Sequence, residues 1–334
     1  MPQQLDVTQL CYCAASQFPG AVFDDVEDFE IEIDETEARK LDVQGTGFQT
    51  ASSSLLYKAK NKDGAPQPIT SRMSVGYHPT SAVGRMVYFG TGKYYEPADQ
   101  DPLNAVQYNT MYGIWDRDDP ALRPSSVTNR NSNRLQQQTI EYETAADSTD
   151  SFGGNTYQVR TVSDTPITWA LPNEACAADK SCGWYLDLTD VGEKMVSTPI
   201  LRGGRLIFVT TIPSQESCGS GGTGWLMEVC ASNGGRCNYP VFDLNGDGLF
   251  DLQDNLAQTD GDDVTTYTPI SGKKSKVGIL QPPAILAGIG GSGDGSYGGV
   301  EGKYASGSNQ AKIDVTIENP GLLGAGRKSW VRIK

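Results

Sequence analysis

In the stretch Asp243-Leu244-Asn245-Gly246-Asp247-Gly248-Leu249-Phe250-Asp251, oxygen-bearing side chains fall at positions 1, 3, 5 and 9 of a loop with glycine at positions 4 and 6. That spacing suits calcium: a hard cation takes roughly six to eight oxygens, and alternate residues of a tight turn aim their oxygens at one centre. Gly248 permits the sharp turn, and the carbonyl of Leu249 at position 7 then faces the ion. Asp251 supplies the last carboxylate. Position 12, where a bidentate Glu is usual, holds the shorter Asp254, whose role as a ligand stays open. An ordinary Asx-rich turn uses the same residue types. Three carboxylates within a few ångströms, however, repel by roughly 3–4 kcal/mol per pair at an effective dielectric near 20, a cost that a plain turn has no reason to carry.

The elements that must position this loop are strands. Cys237-Asn238-Tyr239-Pro240 puts a proline just ahead of it, and residues 225–230 alternate in the manner of a strand, so no helix leads in. The expectation is an EF-hand-like loop set between strands, outside an EF-hand domain. Glycine at 38 of 334 residues and a hydrophobic fraction of 37% favour many short strands and turns over helices. The net charge of −14 argues against a nucleic-acid partner, since phosphate binding needs a basic footprint.

Seven cysteines are present. Cys176 with Cys182, and Cys218, Cys230 and Cys237 in one glycine-rich region, read as local disulfides of an oxidising compartment, with the pairing left open. Cys11 and Cys13 form a C-x-C too small for a zinc site, and the single histidine, His78, is far away. No segment reads as a membrane span, and Met1-Pro2-Gln3-Gln4-Leu5-Asp6 lacks the basic start and apolar core of a signal peptide. An exported protein would then begin elsewhere.

Along the chain, residues 1–65 form an acidic segment expected to supply strands of an incomplete blade, with Phe29, Ile31 and Ile33 alternating with Glu30, Glu32 and Asp34. From residue 66 the pattern is clearer. Strands are expected at 69–75, 84–95 and 111–116, and again at 195–201, 205–211 and 224–229, the second pair joined through Arg202-Gly203-Gly204. Two copies of strand, glycine turn, strand, loop, aromatic strand imply repeated antiparallel sheets, as in propeller blades. Residues 117–165 read as a polar surface insertion in which 133–140 could wind into a helical turn or two. Further strands are expected at 277–286, 311–317 and 328–333, with a flexible glycine-rich stretch at 288–307. Gly288-x-Gly290-x-x-Gly293 has the letters of a dinucleotide loop, but Asp294-Gly295-Ser296 cannot open the helix it needs. Trp115-Asp116 is one Trp-Asp pair without its repeats.

A set of motifs in order carries a resemblance: Gln67-Pro68-Ile69-Thr70, Val87-Tyr88-Phe89-Gly90-Thr91-Gly92-Lys93-Tyr94, Tyr112-Gly113-Ile114-Trp115-Asp116, Leu135-Gln136-Gln137-Gln138-Thr139-Ile140, Gly183-Trp184-Tyr185-Leu186-Asp187-Leu188, Gly192-Glu193-Lys194, Ile212-Pro213-Ser214, Cys218, Gly224-Trp225-Leu226-Met227-Glu228, the calcium loop and Gly326-Arg327-Lys328-Ser329-Trp330. Together they resemble the C-terminal β-propeller domain of the PilY family of type IV pilus biogenesis and tip-adhesin proteins, from about residue 66 to the end. The resemblance implies an all-β, modified β-propeller with quinoprotein-like blades over residues 66–334. It implies a calcium ion held by Asp243, Asn245, Asp247 and Asp251 with the backbone of Leu249, controlling pilus extension against retraction. It further implies roles in adhesion and twitching motility, minor pilins and the pilus assembly machinery as partners, and contact with host or abiotic surfaces. Export to the pilus tip, cell surface or outer membrane follows. Family members carry a long N-terminal region with a signal peptide, so the chain reads as a fragment. The Arg-Gly-Asp motif of some members is absent.

Two other function classes compete. A propeller can host a quinone-dependent dehydrogenase, but no acid and base pair can be placed around a pocket and the carboxylates of the one metal loop are already used. A purely structural calcium staple uses the same residues as the pilus module.

Overall fold

The computed structural model describes residues 37–42, 52–80, 82–101, 108–117, 130, 134–177, 179–214, 221–289, 300–309 and 312–321. The expected strand around Phe29, Ile31 and Ile33, the cysteines Cys11, Cys13 and Cys218, the end of the Gly288 motif, and residues 326–333 lie outside them.

Strands β1 (Glu37–Asp42) and β2 (Ser52–Lys58) form an antiparallel pair. Next comes the first repeat: β3 (Ser74–Tyr77), β4 (Arg85–Gly90) and β5 (Thr110–Asp116). They run as an antiparallel meander in a five-stranded sheet, β3-β4-β5-β11-β6. Strand β6 (Gln136–Gln138) pairs in parallel with β11 (Gly183–Asp187). Strands β7 (Ile140–Glu143), β8 (Asp150–Phe152), β9 (Asn155–Tyr157) and β10 (Val159–Val162) lie between these two in sequence.

The second repeat is β12 (Ile200–Arg202), β13 (Arg205–Val209) and β16 (Trp225–Cys230), with a short pair β14 (Ile212–Pro213) and β15 (Gly222–Thr223) between them. It forms one side of a six-stranded sheet, β12-β13-β16-β19-β10-β7, where β19 is Gly272–Lys274. Hairpin β17 (Leu256–Thr259) and β18 (Thr265–Thr268) precedes β19. A last sheet joins β20 (Ala284–Ile289), β21 (Val300–Ser306) and β22 (Ile313–Glu318). The two expected repeats are therefore present as meanders with the same strand order. Arg202 and Arg205 face each other across a two-residue loop whose Gly203 and Gly204 sit at φ 57° and 78°, the positive values such a turn demands.

Within the six-stranded sheet β13 and β16 are buried on both faces, so the alternation expected at 225–230 does not separate a buried face from an exposed one. Leu206 and Phe208 of β13, with Trp225, Met227 and Val229 of β16, pack into one core with Tyr88, Phe89, Tyr112 and Trp184 of the five-stranded sheet. Ile207, Val209 and Leu226, alternating with them, enter a second core with Phe242, Leu244, Leu256 and Ala305. Leu56 and Tyr57 join the first core, so packing continues ahead of residue 66. The second interface also carries charge. Glu228 and Arg205, both fully buried, meet Lys303 of β21; Lys303 pairs with Glu228 and Glu318, and Arg202 pairs with Glu301. Three cations balance three carboxylates in this seam, as burial requires.

Several expectations are corrected. Within the expected insertion 117–165, the described residues from 134 on are no surface excursion: β6 joins one sheet, β7 and β10 the other, and Val159–Val162 is wholly buried. Where a helical turn is expected over 133–140, the described residues 134–140 are extended, because the buried Gln138 amide bonds the Thr165 and Asn233 carbonyls while its oxygen accepts from Ser163 and Thr165. The strand expected at 69–75 is regular only from Ser74. The one expected at 84–95 stops at Gly90, since Gly92 lies at φ 150°, with Lys194 where a Cβ would sit. The strand at 195–201 begins at Ile200, after Pro199, which has no N–H for a ladder. Likewise the strand expected at 277–286 begins beyond Pro282 and Pro283, and within 288–307 the residues 300–306 are strand, held by the buried Glu301 and Lys303.

Candidate calcium site

Both ends of the 243–251 loop are fixed by the fold. A disulfide joins Cys230 at the end of β16 to Cys237, and a second joins Cys176 to Cys182, so the expected local bonds form within short segments. Past Cys237, Val241, Phe242 and Leu244 are buried. The backbone there docks along β22: Asp243 N–H donates to the Ile317 carbonyl at 3.0 Å, and Asn319 N–H to the Val241 carbonyl at 2.8 Å. Beyond the loop, Leu252–Asp254 makes a single 3₁₀ turn that leads into β17. The loop thus lies between strands, with no helix pair.

Asp254, left open as a ligand by the sequence, spans the two ends. Its Oδ1 accepts from the N–H of Leu244 at 2.8 Å and of Asn245 at 3.2 Å, and its Oδ2 from the N–H of Asp251 at 3.2 Å. It is 1% exposed, and burial, with the charge of Asp243 added, pushes its carboxyl above the usual range despite the three amides. Asp254 closes the loop. Asn155 supports it from the β8–β9 turn, its amide donating to the carbonyls of Leu244 and Asn245 at 3.1 and 2.9 Å. Sequence reasoning missed Asn155, which stands ninety positions from its partner with no motif around it.

Inside the loop the side chains bond its own amides. Asp243 accepts from Gly246 and Gly248, Asn245 from Asp247, Asp247 from Leu249, and Asp251 from Gln253, all at 2.7–3.0 Å. Gly246 and Gly248 take φ of 80° and 79°, so both glycines are required by the turn. Among the described residues no three His, Cys, Asp or Glu side chains converge closely enough to hold a metal by themselves, and no Lys or Arg pairs with Asp243, Asp247 or Asp251. The donor set nonetheless fits a hard cation. Each carboxylate oxygen has two lone pairs and the amides use one, which leaves acceptor capacity on Asp243, Asn245, Asp247 and Asp251, and no side-chain cation neutralises them.

His78 is 3% exposed between the rings of Trp115 and Trp169, with centroids 4.2 and 4.3 Å away, and burial pushes its pKa down to about 4. No helix of the described residues is long and apolar enough to cross a membrane.

Comparison with known proteins places this architecture. The family model of the PilY1 beta-propeller domain matches residues 35–151. The chain is 36% identical over 206 residues to the type IV pilus biogenesis factor PilY1 of Pseudomonas aeruginosa PAO1, covering 60% of this chain and 17% of that protein. It is 31% identical over 186 residues to a PilY1 homolog of Xylella fastidiosa, covering 54% of this chain and 11% of that protein. The chain therefore spans less than a fifth of the length of these relatives. The crystal structure of the Pseudomonas aeruginosa PilY1 C-terminal domain superposes with a TM-score of 0.59 at 25% identity, over 81% of this chain and 50% of that one. The stacked sheets are blades of a β-propeller, similar in fold to the PilY1 C-terminal domain and, over residues 35–151, in sequence to the PilY1 beta-propeller domain family.

Proposed function

We propose that this propeller is a non-enzymatic module of an exported type IV pilus biogenesis factor, and that a calcium ion in the 243–251 loop sets the surface it presents to the pilus machinery. Asp243, Asn245, Asp247 and Asp251, with the carbonyl of Leu249, would hold the ion. Bound there, calcium supplies positive charge that draws the carboxylates together. The observation that carries the reading is the unneutralised set of carboxylates in a loop braced at both ends by Asp254 and β22. The relatives, named as pilus biogenesis factors, supply the functional class. Without the ion, Asp243, Asp247 and Asp251 repel, and the exposed tip around Leu249 takes another path. Minor pilins and the assembly machinery are the proposed readers of that surface, at the pilus tip or outer membrane, with attachment and twitching motility as outputs.

The bracing also favours a second reading, a purely structural staple. With a dissociation constant near roughly 10 μM and calcium near about 1 mM, binding contributes about 2.7 kcal/mol, enough to order one loop and small beside a propeller core. The two readings separate in a cell with retractile pili. A full-length protein carrying Asp247→Ala should lose its restraint on retraction and leave few surface pili while the retraction motor is present, with piliation restored when the motor is deleted. Wild-type piliation with the motor present would leave only the staple.

A further inference from the structure

Lys303 of β21 is 1% exposed, and its Nζ meets two fully buried carboxylates, Glu228 of β16 and Glu318 of β22. Toward Glu228 the contact is a hydrogen bond that Lys303 donates. Toward Glu318 it is not: the amine lies against the carboxyl group, yet neither Glu318 oxygen has a hydrogen-bond partner. A buried carboxylate with both oxygens unbonded is costly, and a plain ion pair gives no account of it. The strand register brings the two side chains together. Glu301 stands opposite Glu318 and Lys303 opposite Thr316, so Lys303 and Glu318 are diagonal neighbours on one face of an antiparallel pair, a spacing that long side chains bridge. Burial holds the Lys303 amine below the usual lysine range, with Glu228 pulling the other way, and a desolvated lysine is a nucleophile.

We propose that Lys303 and Glu318 condense into an intramolecular amide, with Glu228 as the proton relay. In the low dielectric of the seam a proton passes from the ammonium to the Glu318 carboxylate, leaving a neutral amine beside a neutral carboxyl. The Nζ lone pair attacks Cδ of Glu318. Glu228 takes a proton from the nitrogen and hands it to the departing oxygen, the Cδ–O bond breaks, and one water leaves. A C–N bond replaces a C–O bond, nothing is oxidised or reduced, and no co-reactant is needed. Fixed placement lowers the barrier that two free groups in water face, and burial keeps water from reversing the step. The remaining charges still balance: Arg205 stays 3.3 Å from Glu228, Arg202 stays with Glu301, and the condensed pair carries none. The bond ties β21 to β22, the strand along which the lead into the 243–251 loop docks.

The test is intact-mass spectrometry of the whole folded chain, reduced and denatured only for the measurement. Wild type should weigh less than its sequence by one water, and proteolysis should yield a branched peptide that joins the segments holding Lys303 and Glu318. Lys303→Met removes the nucleophile and Glu228→Gln removes the relay at nearly constant size, so both variants should show the full sequence mass. A wild-type chain at full mass, with Lys303 and Glu318 recovered in separate linear peptides, overturns the proposal. So does a water deficit that persists in Lys303→Met, because the dehydration then lies at another site. A deficit that persists in Glu228→Gln overturns the relay. The wild-type mass and the branched peptide decide the central point whether or not a variant folds.

Discussion

Arg160 holds the junction of the propeller's central sheet, and replacing it with methionine should be among the most damaging single changes in the chain. The guanidinium is fully buried. Its Nε donates to Glu143 at 2.6 Å, Nη1 and Nη2 to the two oxygens of Glu193 at 2.8 and 3.0 Å, and Nη2 also lies 3.1 Å from Asp190. The ring of Trp225 lies 4.0 Å from its Cζ. Methionine keeps the apolar stem but leaves Glu193, itself fully buried, without a cation. Lys274, 3.7 Å from Asp190, compensates at the rim only. Removing one member of a buried pair costs about 3–5 kcal/mol. With an unfolding entropy of about 2.1 cal/mol/K per residue, a loss of about 4 kcal/mol over 334 residues lowers Tm by about 6 °C. The sign with pH is diagnostic. Glu143 already lies above the carboxylate range through burial, with Arg160 pulling the other way, so loss of Arg160 pushes it further up; the penalty is full above its folded pKa and disappears as pH falls below the unfolded one. Urea unfolding followed by Trp fluorescence at pH 7 and pH 4 measures both effects. A loss under about 1 kcal/mol at pH 7, or a loss equally large at pH 4, would refute the argument.

Other outcomes follow from named groups. His78 stays neutral in the fold down to about pH 4 but takes a proton near 6.5 when unfolded, so its contribution to stability is lost as pH falls through that window; wild type should lose about 2.5 kcal/mol more than His78→Phe between pH 7 and 4.5, and identical pH dependence in urea titrations would contradict this. The Cys230–Cys237 bond closes a loop of sequence separation 7. Replacing both cysteines with serine should cost about 2 kcal/mol by chain entropy and loosen the lead into the 243–251 loop, and an unchanged urea midpoint would show the bond to be idle.

The repeats were legible because strand alternation and glycine turns are local: Arg202-Gly203-Gly204-Arg205 specifies its hairpin without help from the rest of the chain. What the sequence concealed is long-range pairing. Gln138 reads as a polar helix former, and only the carbonyls of Thr165 and Asn233, brought in by other strands, make an extended backbone its better state. Polarity misleads in the same way over 117–165, because Arg160 is fully buried there against the partly buried Glu143, while charge in a sequence reads as surface. Proline sets the true strand starts at Ile200 and Ala284, because Pro199 and Pro283 have no N–H for a ladder. At the loop, the ligand types and the two glycines were visible in the spacing. Its brace was not: Asp254 serves backbone amides and Asn155 comes from another hairpin.

The most direct test of calcium at the 243–251 loop is isothermal titration of the chain with calcium, beside the Asp247→Ala variant. The account predicts one ion per wild-type chain with a dissociation constant near roughly 10 μM, and at least a hundredfold weaker binding in the variant, whose circular dichroism stays that of wild type. Equal calcium affinity in the two proteins, or no binding by the wild-type chain, would contradict it.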